Sequence, residues 1–272
     1  MSVLGPAAQA FDAIAPQFDA RFGEWKSVSA QRRAVRHALL ATFPSGSSVL
    51  ELGGGTGEDA AWLAERGYRV CLTDAAPAMV RLARSKLNRP DCSAELVPAE
   101  ELECFAVRHL ANHSGLFDGA FSNFAALNCV EDLAPMARGL ARLVKPGGMA
   151  MLVLFGTLCP GEILVEILRG RPGQALRRFK RGPAPARLGG RDFTVTYHRA
   201  ASVAQAMQPW FIPVGRRGIG VFVPPSAAEP EISRHPMLLG ILDALDRCTG
   251  HLLAPLGDHI LYRFVRTGRN PP

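Results

Sequence analysis

The fold of this chain is decided by one stretch, Ser48-Val49-Leu50-Glu51-Leu52-Gly53-Gly54-Gly55-Thr56-Gly57. Its apolar first half is typical of a buried strand, and the glycines that follow permit a tight turn. Glu58 to Arg66 then has the pattern of a helix, which Gly67 ends. A second buried strand, Arg69 to Thr73, follows and ends at Asp74. This order predicts a strand–turn–helix–strand unit with the glycine turn at the carboxyl end of its first strand.

The same alternation continues along the chain. Further strand patterns lie at 94–97, 117–122 and 149–155, and helical patterns lie at 77–87 and 130–144. Strands that alternate with helices at this spacing are typical of a parallel sheet with both faces covered. The prediction is a Rossmann-like α/β fold with seven mostly parallel strands, helices on both faces, and a helical lid inserted after the fifth strand.

Changes in the pattern divide a single domain, 1–272, into consecutive parts. We expect a helical N-terminal cap, a cofactor-binding core, a basic insertion or lid, and a C-terminal part that supplies the last two strands and includes a helix at 236–253. In the same order, these parts cover 1–46, 47–155, 156–200 and 201–272.

Composition narrows the class of protein. Hydrophobic residues make up 48% of the chain and charged residues 20%, as in packed globular proteins. No apolar run approaches the roughly 20 residues that cross a bilayer, and the first residues lack a secretory pattern. The six cysteines show no metal spacing, which predicts reduced thiols, a cytoplasmic location and no metal. The net charge of +7 favours anionic partners.

Two carboxylates bracket the glycine turn and indicate its ligand. Asp74 follows the second strand, where a carboxylate can accept both hydroxyls of a ribose. Glu51 would repel the pyrophosphate of a dinucleotide but suits an ammonium or a sulfonium. The pair therefore favours S-adenosylmethionine over NAD. The alternative is that the glycines only form a turn and that Asp74 only caps the helix beginning near Pro77.

With these motifs the chain resembles the class I S-adenosylmethionine-dependent methyltransferases over roughly residues 8–155. Phe11 to Phe18 is similar to the opening of their small-molecule, ubiquinone-methyltransferase-like branch. Four further stretches resemble motifs of the family. Val49 to Gly57 resembles the first motif and Leu72 to Met79 the ribose motif. Phe117 to Asn128 resembles the fourth motif, and Leu140 to Gly148 resembles the helix and turn before the fifth strand.

The resemblance implies how S-adenosylmethionine would be held, with S-adenosylhomocysteine as the product. Glu51 and Gly53 would lie by the methionyl amino group, with Phe18 near the same end. Asp74 would hold the ribose and Met79 would flank the adenine. The full set of expected cofactor-binding residues is Phe18, Glu51, Gly53, Gly54, Gly55, Gly57, Asp74, Ala75, Met79, Ala99, Glu100, Ser122, Asn123 and Phe124.

The chain departs from the family in the segment after the third strand, which is expected to contact the adenine. Many relatives carry Gly-Asp-Ala after the third strand, with the Asp on the adenine amino group. Here the segment reads Val97-Pro98-Ala99-Glu100-Glu101, so Glu100 or the backbone would have to substitute. The fourth motif also lacks the Asn-Pro-Pro-aromatic sequence of the DNA adenine and glutamine methyltransferases, which counts against those substrates.

The methyl acceptor is expected beneath the segment that follows the fifth strand. His198 is the candidate base and Tyr197 its neighbour at the end of a strand pattern in that region. The alternative for His198 is a surface or capping histidine. Asn128 is a candidate substrate ligand, and its alternative is a hydrogen bond within its own loop.

The segment 162–191 suggests where an anionic partner would bind. An apolar run, Ile163 to Leu168, precedes eight basic and no acidic residues between Arg169 and Arg191. Such a segment can bind an anionic or lipid-like substrate or make a peripheral contact with an anionic membrane, and its alternative is a solvated lid face. The expected anion contacts are Arg177, Arg178, Lys180 and Arg181.

The leading function is methyl transfer to a small or lipid-like metabolite by in-line displacement. The alternatives are an RNA or protein methyltransferase and a non-catalytic adenosylmethionine-binding partner subunit. Nucleic acid is disfavoured because aromatic residues make up 7% of the chain and do not interleave with the basic run.

Overall fold

A computed structural model describes residues 4–112, 115–180 and 182–271. The strands are β1 (Ser48–Leu52), β2 (Arg69–Asp74), β3 (Ser93–Leu96), β4 (Phe117–Ser122), β5 (Val144–Phe155), β6 (Pro183–Leu188), β7 (Arg191–Thr196), β8 (Phe211–Ile219) and β9 (His259–Arg266). The helices are α1 (Pro6–Gly23), α2 (Lys26–Thr42), α3 (Glu58–Ala64), α4 (Pro77–Lys86), α5 (Leu102–Ala111), α6 (Ala134–Leu143), α7 (Pro160–Leu168), α8 (Pro172–Ala175), α9 (Ala200–Met207) and α10 (Pro236–Thr249).

Seven strands form one sheet in the order β3-β2-β1-β4-β5-β9-β8. Strands β1 to β5 pair in parallel, and β9 runs antiparallel between β5 and β8. This confirms the predicted Rossmann-like sheet of seven mostly parallel strands. The strand order reverses between β1 and β4, and ligands of such sheets bind at the carboxyl ends of the strands beside that point.

The core lies on both faces of the sheet because side chains alternate along each strand. Leu50 and Leu52 of β1 pack in the cluster that includes α5, α6 and α9. Val49 packs in the opposite cluster with α2, α3 and α4. Three of the five residues of β1 are therefore committed to two cores, which fixes where the following glycine turn emerges.

The lid after β5 is only partly helical. Helices α7 and α8 and a 3-10 turn at Arg177–Phe179 are followed by the β6–β7 hairpin. The Pro/Gly-rich stretch forms this hairpin because Gly189 and Gly190 adopt φ values of 58° and 77°, the left-handed conformation of a two-residue type I′ turn. The hairpin rests on α1, where Phe193 meets Phe11 edge to face at 5.9 Å.

The C-terminal elements are shorter than the sequence predicts. The first of the two expected C-terminal strands is β8, for which the apolar pattern runs from Pro213 to Val223, but β8 ends at Ile219 because Gly220 turns the chain with φ of 69°. The expected helix at 236–253 ends at Thr249. Within the described residues, no helix has the length and apolar character needed to cross a bilayer.

Candidate cofactor and acceptor site

The glycine turn follows β1 and folds tightly against its neighbours. Gly53, Gly55 and Gly57 have φ values of 63°, 57° and 82°, which side-chain-bearing residues rarely adopt. A Cβ on Gly53 would come within 2.3 Å of the Ala126 Cβ, so the turn touches the loop after β4. A Cβ on Gly55 would meet no atom within 4 Å. The turn is therefore packed against the protein at Gly53 and open at Gly55, as a loop that binds a ligand through its backbone must be.

The Glu51 carboxyl lies buried at the end of β1, beside this turn. Its Oε2 has no hydrogen-bond partner among the described residues. Burial, and next the charge of Asp59, hold the pKa of Glu51 well above its ordinary value. A buried acceptor without a partner is costly. An ammonium group placed beside it would satisfy both its charge and its hydrogen bond.

Asp74 is held in a fixed orientation at the end of β2. Its Oδ2 accepts a hydrogen bond from the Gly55 N–H at 2.9 Å, and its Oδ1 accepts one from Ala76 N–H at 2.8 Å. Burial raises the pKa of Asp74, and these backbone hydrogen bonds oppose that rise. The bond to Ala76 is a cap-like contact near the start of α4. Each oxygen keeps a lone pair for a ribose hydroxyl.

Two aspartates of α1 tie that helix to the cofactor elements. The Asp12 Oδ1 accepts a hydrogen bond from Ala78 N–H at 2.6 Å, at the first turn of α4. The Asp19 carboxylate accepts from Thr56 Oγ1 and Lys86 Nζ, each at 2.6 Å. Sequence reasoning missed both roles. The signal was their spacing of seven residues, which places two side chains on one helix face.

The expected aromatic and adenine residues lie close to these contacts. Phe18 and Met79 pack in one small cluster that also contains Phe11. The Val97 N–H bonds to Asp74 C=O at 3.0 Å, so the chain that follows β3 leaves beside the ribose residue. Ala75 is half-buried beside Asp74, Ala99 is half-buried in a 3-10 turn, and Glu100 in that turn is exposed.

The floor of the site is a strained loop after β4. Phe124 and Ala125 adopt φ values of 48° and 58°, and two successive left-handed residues without glycine are unusual. The Asn123 Nδ2 donates to Asp59 Oδ2 at 2.7 Å, and its Oδ1 accepts from Phe124 N–H at 2.8 Å. Ser122 and Asn123 are buried. Strain of this kind concentrates at functional sites, because the surrounding structure must hold it in place.

Cations approach this floor from α2. The Arg36 Nε donates to Asp59 Oδ1 at 2.7 Å, and the Arg32 guanidinium lies 4.8 Å from the centre of the Phe124 ring. Asp59 thus joins two arginine-bearing turns of α2 to Asn123. Sequence reasoning singled out neither arginine, because their partner Asp59 is more than 20 residues away.

A row of rings connects the lid to the floor. Phe155 pairs with His259 where β5 and β9 meet, and their rings stack at 4.9 Å. His259 lies 6.0 Å from Phe124, and Tyr197 lies 5.9 Å from Phe155. The His259 Nδ1 is 3.3 Å from Asp258 Oδ2. His259 was one of seven histidines in the sequence, and only the strand pairing brings it to this position.

The two predicted catalytic residues differ in their surroundings. Tyr197 belongs to the ring row, and burial raises its pKa. His198 is buried with its Nε2 at 2.9 Å from Val130 C=O. Burial lowers the pKa of His198, so the neutral ring donates to that carbonyl. The structure therefore brings Tyr197, but not the bonded nitrogen of His198, towards Phe155.

Asn128 is fully buried and both ends of its amide are engaged. The Nδ2 donates to Thr196 C=O at 2.6 Å, and the Oδ1 accepts from Phe155 N–H at 3.0 Å. These bonds join the loop after β4 to β5 and β7. The geometry fits the loop-bonding alternative for Asn128.

The expected anion contacts are mostly internal. Arg178 is buried, and its guanidinium bonds to Glu162, to Asp258 Oδ1 at 2.6 Å and to Gly156 C=O at 3.0 Å. Arg177 Nε donates to Glu162 Oε1 at 2.7 Å. The prediction that Arg178 binds an external anion is therefore wrong, because its guanidinium is paired with buried carboxylates. Lys180 is exposed, and Arg181 lies outside the described residues.

The same cluster has the spacing of a cation site. One ligand atom each from Cys159, Glu162 and Asp258 lie within 4.8 Å of one another. Burial raises the pKa of Cys159 to about 12, which keeps it a thiol. Burial alone would raise the pKa of Asp258, but His259 and Arg178 hold it far below its usual range. The Arg178 guanidinium is the cation that balances these acids.

Comparisons with known proteins identify methyltransferases among the similar sequences and structures. Residues 49–148 match the family model described as a methyltransferase domain. The chain is 31% identical over 159 residues to the biotin biosynthesis bifunctional protein BioHC of Cellvibrio japonicus, covering 57% of this chain and 29% of that protein. It is 29% identical over 153 residues to the malonyl-[acyl-carrier protein] O-methyltransferase of Serratia marcescens, covering 56% of this chain and 54% of that protein.

Solved structures share the fold. A Listeria monocytogenes structure titled as an S-adenosylmethionine-dependent methyltransferase superposes with a TM-score of 0.57 at 17% identity, covering 85% of this chain and 96% of that one. The chain spans about half, or less, of the length of the curated relatives it matches.

Proposed function

The chain belongs to the class I S-adenosylmethionine-dependent methyltransferases, and from this premise we propose that it transfers the methyl group of S-adenosylmethionine to a small or lipid-like acceptor. The observation that carries the proposal is the buried, partnerless Glu51 Oε2 beside an open glycine turn. That carboxyl fits a cationic amino acid end and would oppose a phosphate. Membership of the ubiquinone-like branch stays a prediction.

The proposed cofactor residues divide by the part of the ligand they would meet. Glu51 and the turn at 53–57 would hold the methionine end, and Asp74 the ribose. Met79 and the segment at 98–100 would flank the adenine, and the floor at 122–124 would face the methyl group. S-adenosylmethionine supplies an activated methyl on a positive sulfur. The hydrogen bonds of Asp12 and Asp19 would hold α1 against the cofactor elements, and α1 would thereby exclude water from the methionine end of the cofactor.

The protein's own contribution to the reaction is mainly position. Methyl transfer needs the acceptor atom in line with the methyl carbon, and alignment of this kind can supply roughly 7–11 kcal/mol of the barrier. Phe124, Phe155 and Tyr197 offer flat apolar walls for the acceptor. His259, oriented by Asp258, is the candidate proton acceptor when the acceptor atom carries a proton.

The acceptor class is proposed from the walls of the site. Aromatic and apolar walls favour a small or lipid-like molecule, and Arg32 beside Phe124 favours one with an anionic group nearby. The curated relatives named as malonyl-[acyl-carrier protein] O-methyltransferases support such a substrate class. We propose a cytoplasmic location on the support of the six unpaired cysteines.

Calorimetry tests the cofactor assignment. Wild-type protein is expected to bind S-adenosylmethionine and not NAD, and Asp74→Ala should lose at least tenfold in affinity, because the ribose would lose its paired acceptor. Asp91→Ala, which removes an exposed carboxylate bonded to Arg89, is the matched control. Wild-type affinity in Asp74→Ala would contradict the site. Mass spectrometry of a metabolite extract incubated with the enzyme should then reveal a species heavier by one methyl.

A further inference from the structure

Helix α7 is amphipathic in the reverse of the usual sense. Its two acids, Glu162 and Glu166, are buried, with 2% and 6% of their surface exposed. Its apolar residues Leu164, Ile167 and Leu168 are 59%, 55% and 77% exposed. A helix of a soluble domain normally buries its leucines and exposes its acids. The outward face of α7 is therefore built to meet something other than water.

The buried acids form ion pairs with arginines of the same segment. Arg177 and Arg178 bind Glu162, and Arg171 Nε lies 2.8 Å from Glu166 Oε2. Buried charges persist only when paired. Arg178 is buried for this reason, whereas the Arg171 and Arg177 side chains reach the same acids while remaining 51% and 42% exposed.

Further exposed apolar residues follow α7. Leu176 and Phe179 are 58% and 49% exposed, and we call these two residues together with Leu164, Ile167 and Leu168 the lid face. Arg169 and Lys180 are also exposed and form no salt bridge within the described residues. Both acids between residues 160 and 180 are buried, so the lid face joins large apolar side chains to unbalanced positive charge.

We propose that the lid face docks on an anionic lipid bilayer. Leucine and phenylalanine side chains insert at the boundary between headgroups and acyl chains, while lysine and arginine at the rim meet anionic headgroups. Within the part of this segment that the structure describes, the five apolar residues outnumber the two exposed cations that form no salt bridge. This balance favours a bilayer over an acidic protein, whose recognition would need more exposed cations to pair with its carboxylates.

The segment that carries the lid face also contacts the acceptor walls. Helix α7 begins five residues after Phe155, and the Arg178 guanidinium lies 5.0 Å from the Phe155 ring. A lipid-like acceptor would therefore reach the ring row from the docked side. This last step rests on the proposed function, whereas docking itself does not.

Vesicle sedimentation tests the proposal. Wild-type protein is expected to sediment with phosphatidylcholine vesicles that contain phosphatidylglycerol, and much less with phosphatidylcholine alone. Leu168→Gln should weaken that binding several-fold, and Leu168→Glu by more than roughly tenfold, because it also adds a charge that anionic lipid repels. Val107→Glu on α5 is the matched control, since Val107 is 64% exposed and carries the same change of charge.

The outcomes separate docking from catalysis. Each variant is also titrated with S-adenosylmethionine, and unchanged affinity in Leu168→Glu shows that the cofactor domain remains folded. The proposal is overturned if wild-type protein ignores both vesicles, if it binds only an acidic carrier protein, or if Leu168→Glu and Val107→Glu bind vesicles equally. Vesicle binding by a wild-type protein that does not bind S-adenosylmethionine would leave docking intact and refute the proposed function.

Discussion

Replacing Glu51 by glutamine should weaken S-adenosylmethionine binding while leaving the fold intact. Glutamine keeps the shape of the side chain but removes the negative charge. A buried hydrogen bond to a charged group contributes about 1.5–3 kcal/mol. At about 1.4 kcal/mol for each tenfold change, the dissociation constant should rise roughly 10- to 100-fold. Isothermal titration calorimetry measures this directly.

The same substitution should not lower the stability of the ligand-free protein. Burial raises the pKa of Glu51, so the folded state holds its proton more tightly than the unfolded chain does. The stability that this carboxyl contributes is present below its unfolded pKa and is lost as pH rises through its folded pKa. Near neutral pH, Glu51→Gln should therefore melt at or above the wild-type temperature, and the difference should vanish in acid.

Proton linkage gives a second measurement on the same residue. A bound cation favours the ionised carboxylate, so affinity should rise with pH through the raised pKa of Glu51, and binding should release protons. Titrations in two buffers of different ionisation enthalpy detect that release, and Glu51→Gln should abolish it. Wild-type affinity in Glu51→Gln, or proton release that persists without the carboxyl, would refute the assignment of Glu51 to the cationic end of the cofactor.

Three further substitutions examine the surroundings of the site. Lys86→Ala should raise the S-adenosylmethionine dissociation constant several-fold, because it removes the ion pair that holds Asp19. It should barely change the melting temperature, since partly exposed ion pairs contribute about 0–1 kcal/mol to stability. The control Arg234→Ala breaks an exposed ion pair elsewhere and should change neither quantity. Arg178→Met leaves buried carboxylates unpaired, at a cost of about 3–5 kcal/mol. The melting temperature of this variant should therefore fall by roughly 6–20 °C, and a decrease of less than about 3 °C would contradict the buried network. His259→Gln should lower kcat without changing cofactor affinity in calorimetry, and a parallel loss of both would assign His259 a structural role instead.

The central sheet and the glycine turn could be predicted because their signals are local. The apolar run at 48–52 leaves few alternatives to a buried strand, and the glycines after it allow the positive φ values that the turn requires. The hairpin at β6 was missed because prolines at 183 and 185 argue against a strand. Prolines are tolerated there since β6 pairs with one strand only, and the Gly189-Gly190 pair was the available signal.

Residues that act through distant partners could not be assigned from the sequence. Arg178 belongs to a run of basic residues, and composition alone predicts that such a run faces solvent. Its carboxylate partner Asp258 is 80 residues away, beside His259, and becomes a neighbour only when β9 pairs with β5. The ring row and the Asp59 contacts have the same origin. A sequence pattern indicates the glycine turn, whereas tertiary pairing builds the ring row and the proposed acceptor side.

The buried acids of α7 and its exposed leucines have one physical cause. Without its ion pairs to Arg177 and the buried Arg178, Glu162 would be a buried carboxylate without a cationic partner, at a cost that the fold could not easily offset. Because α7 buries its acids against these arginines, its outer surface carries Leu164 and Leu168, whose exposure costs free energy in water that only an apolar partner recovers. A single arrangement of charge thus ties Arg178 to the base of the lid beside Phe155 and leaves α7 with the apolar outer surface on which the proposed docking rests.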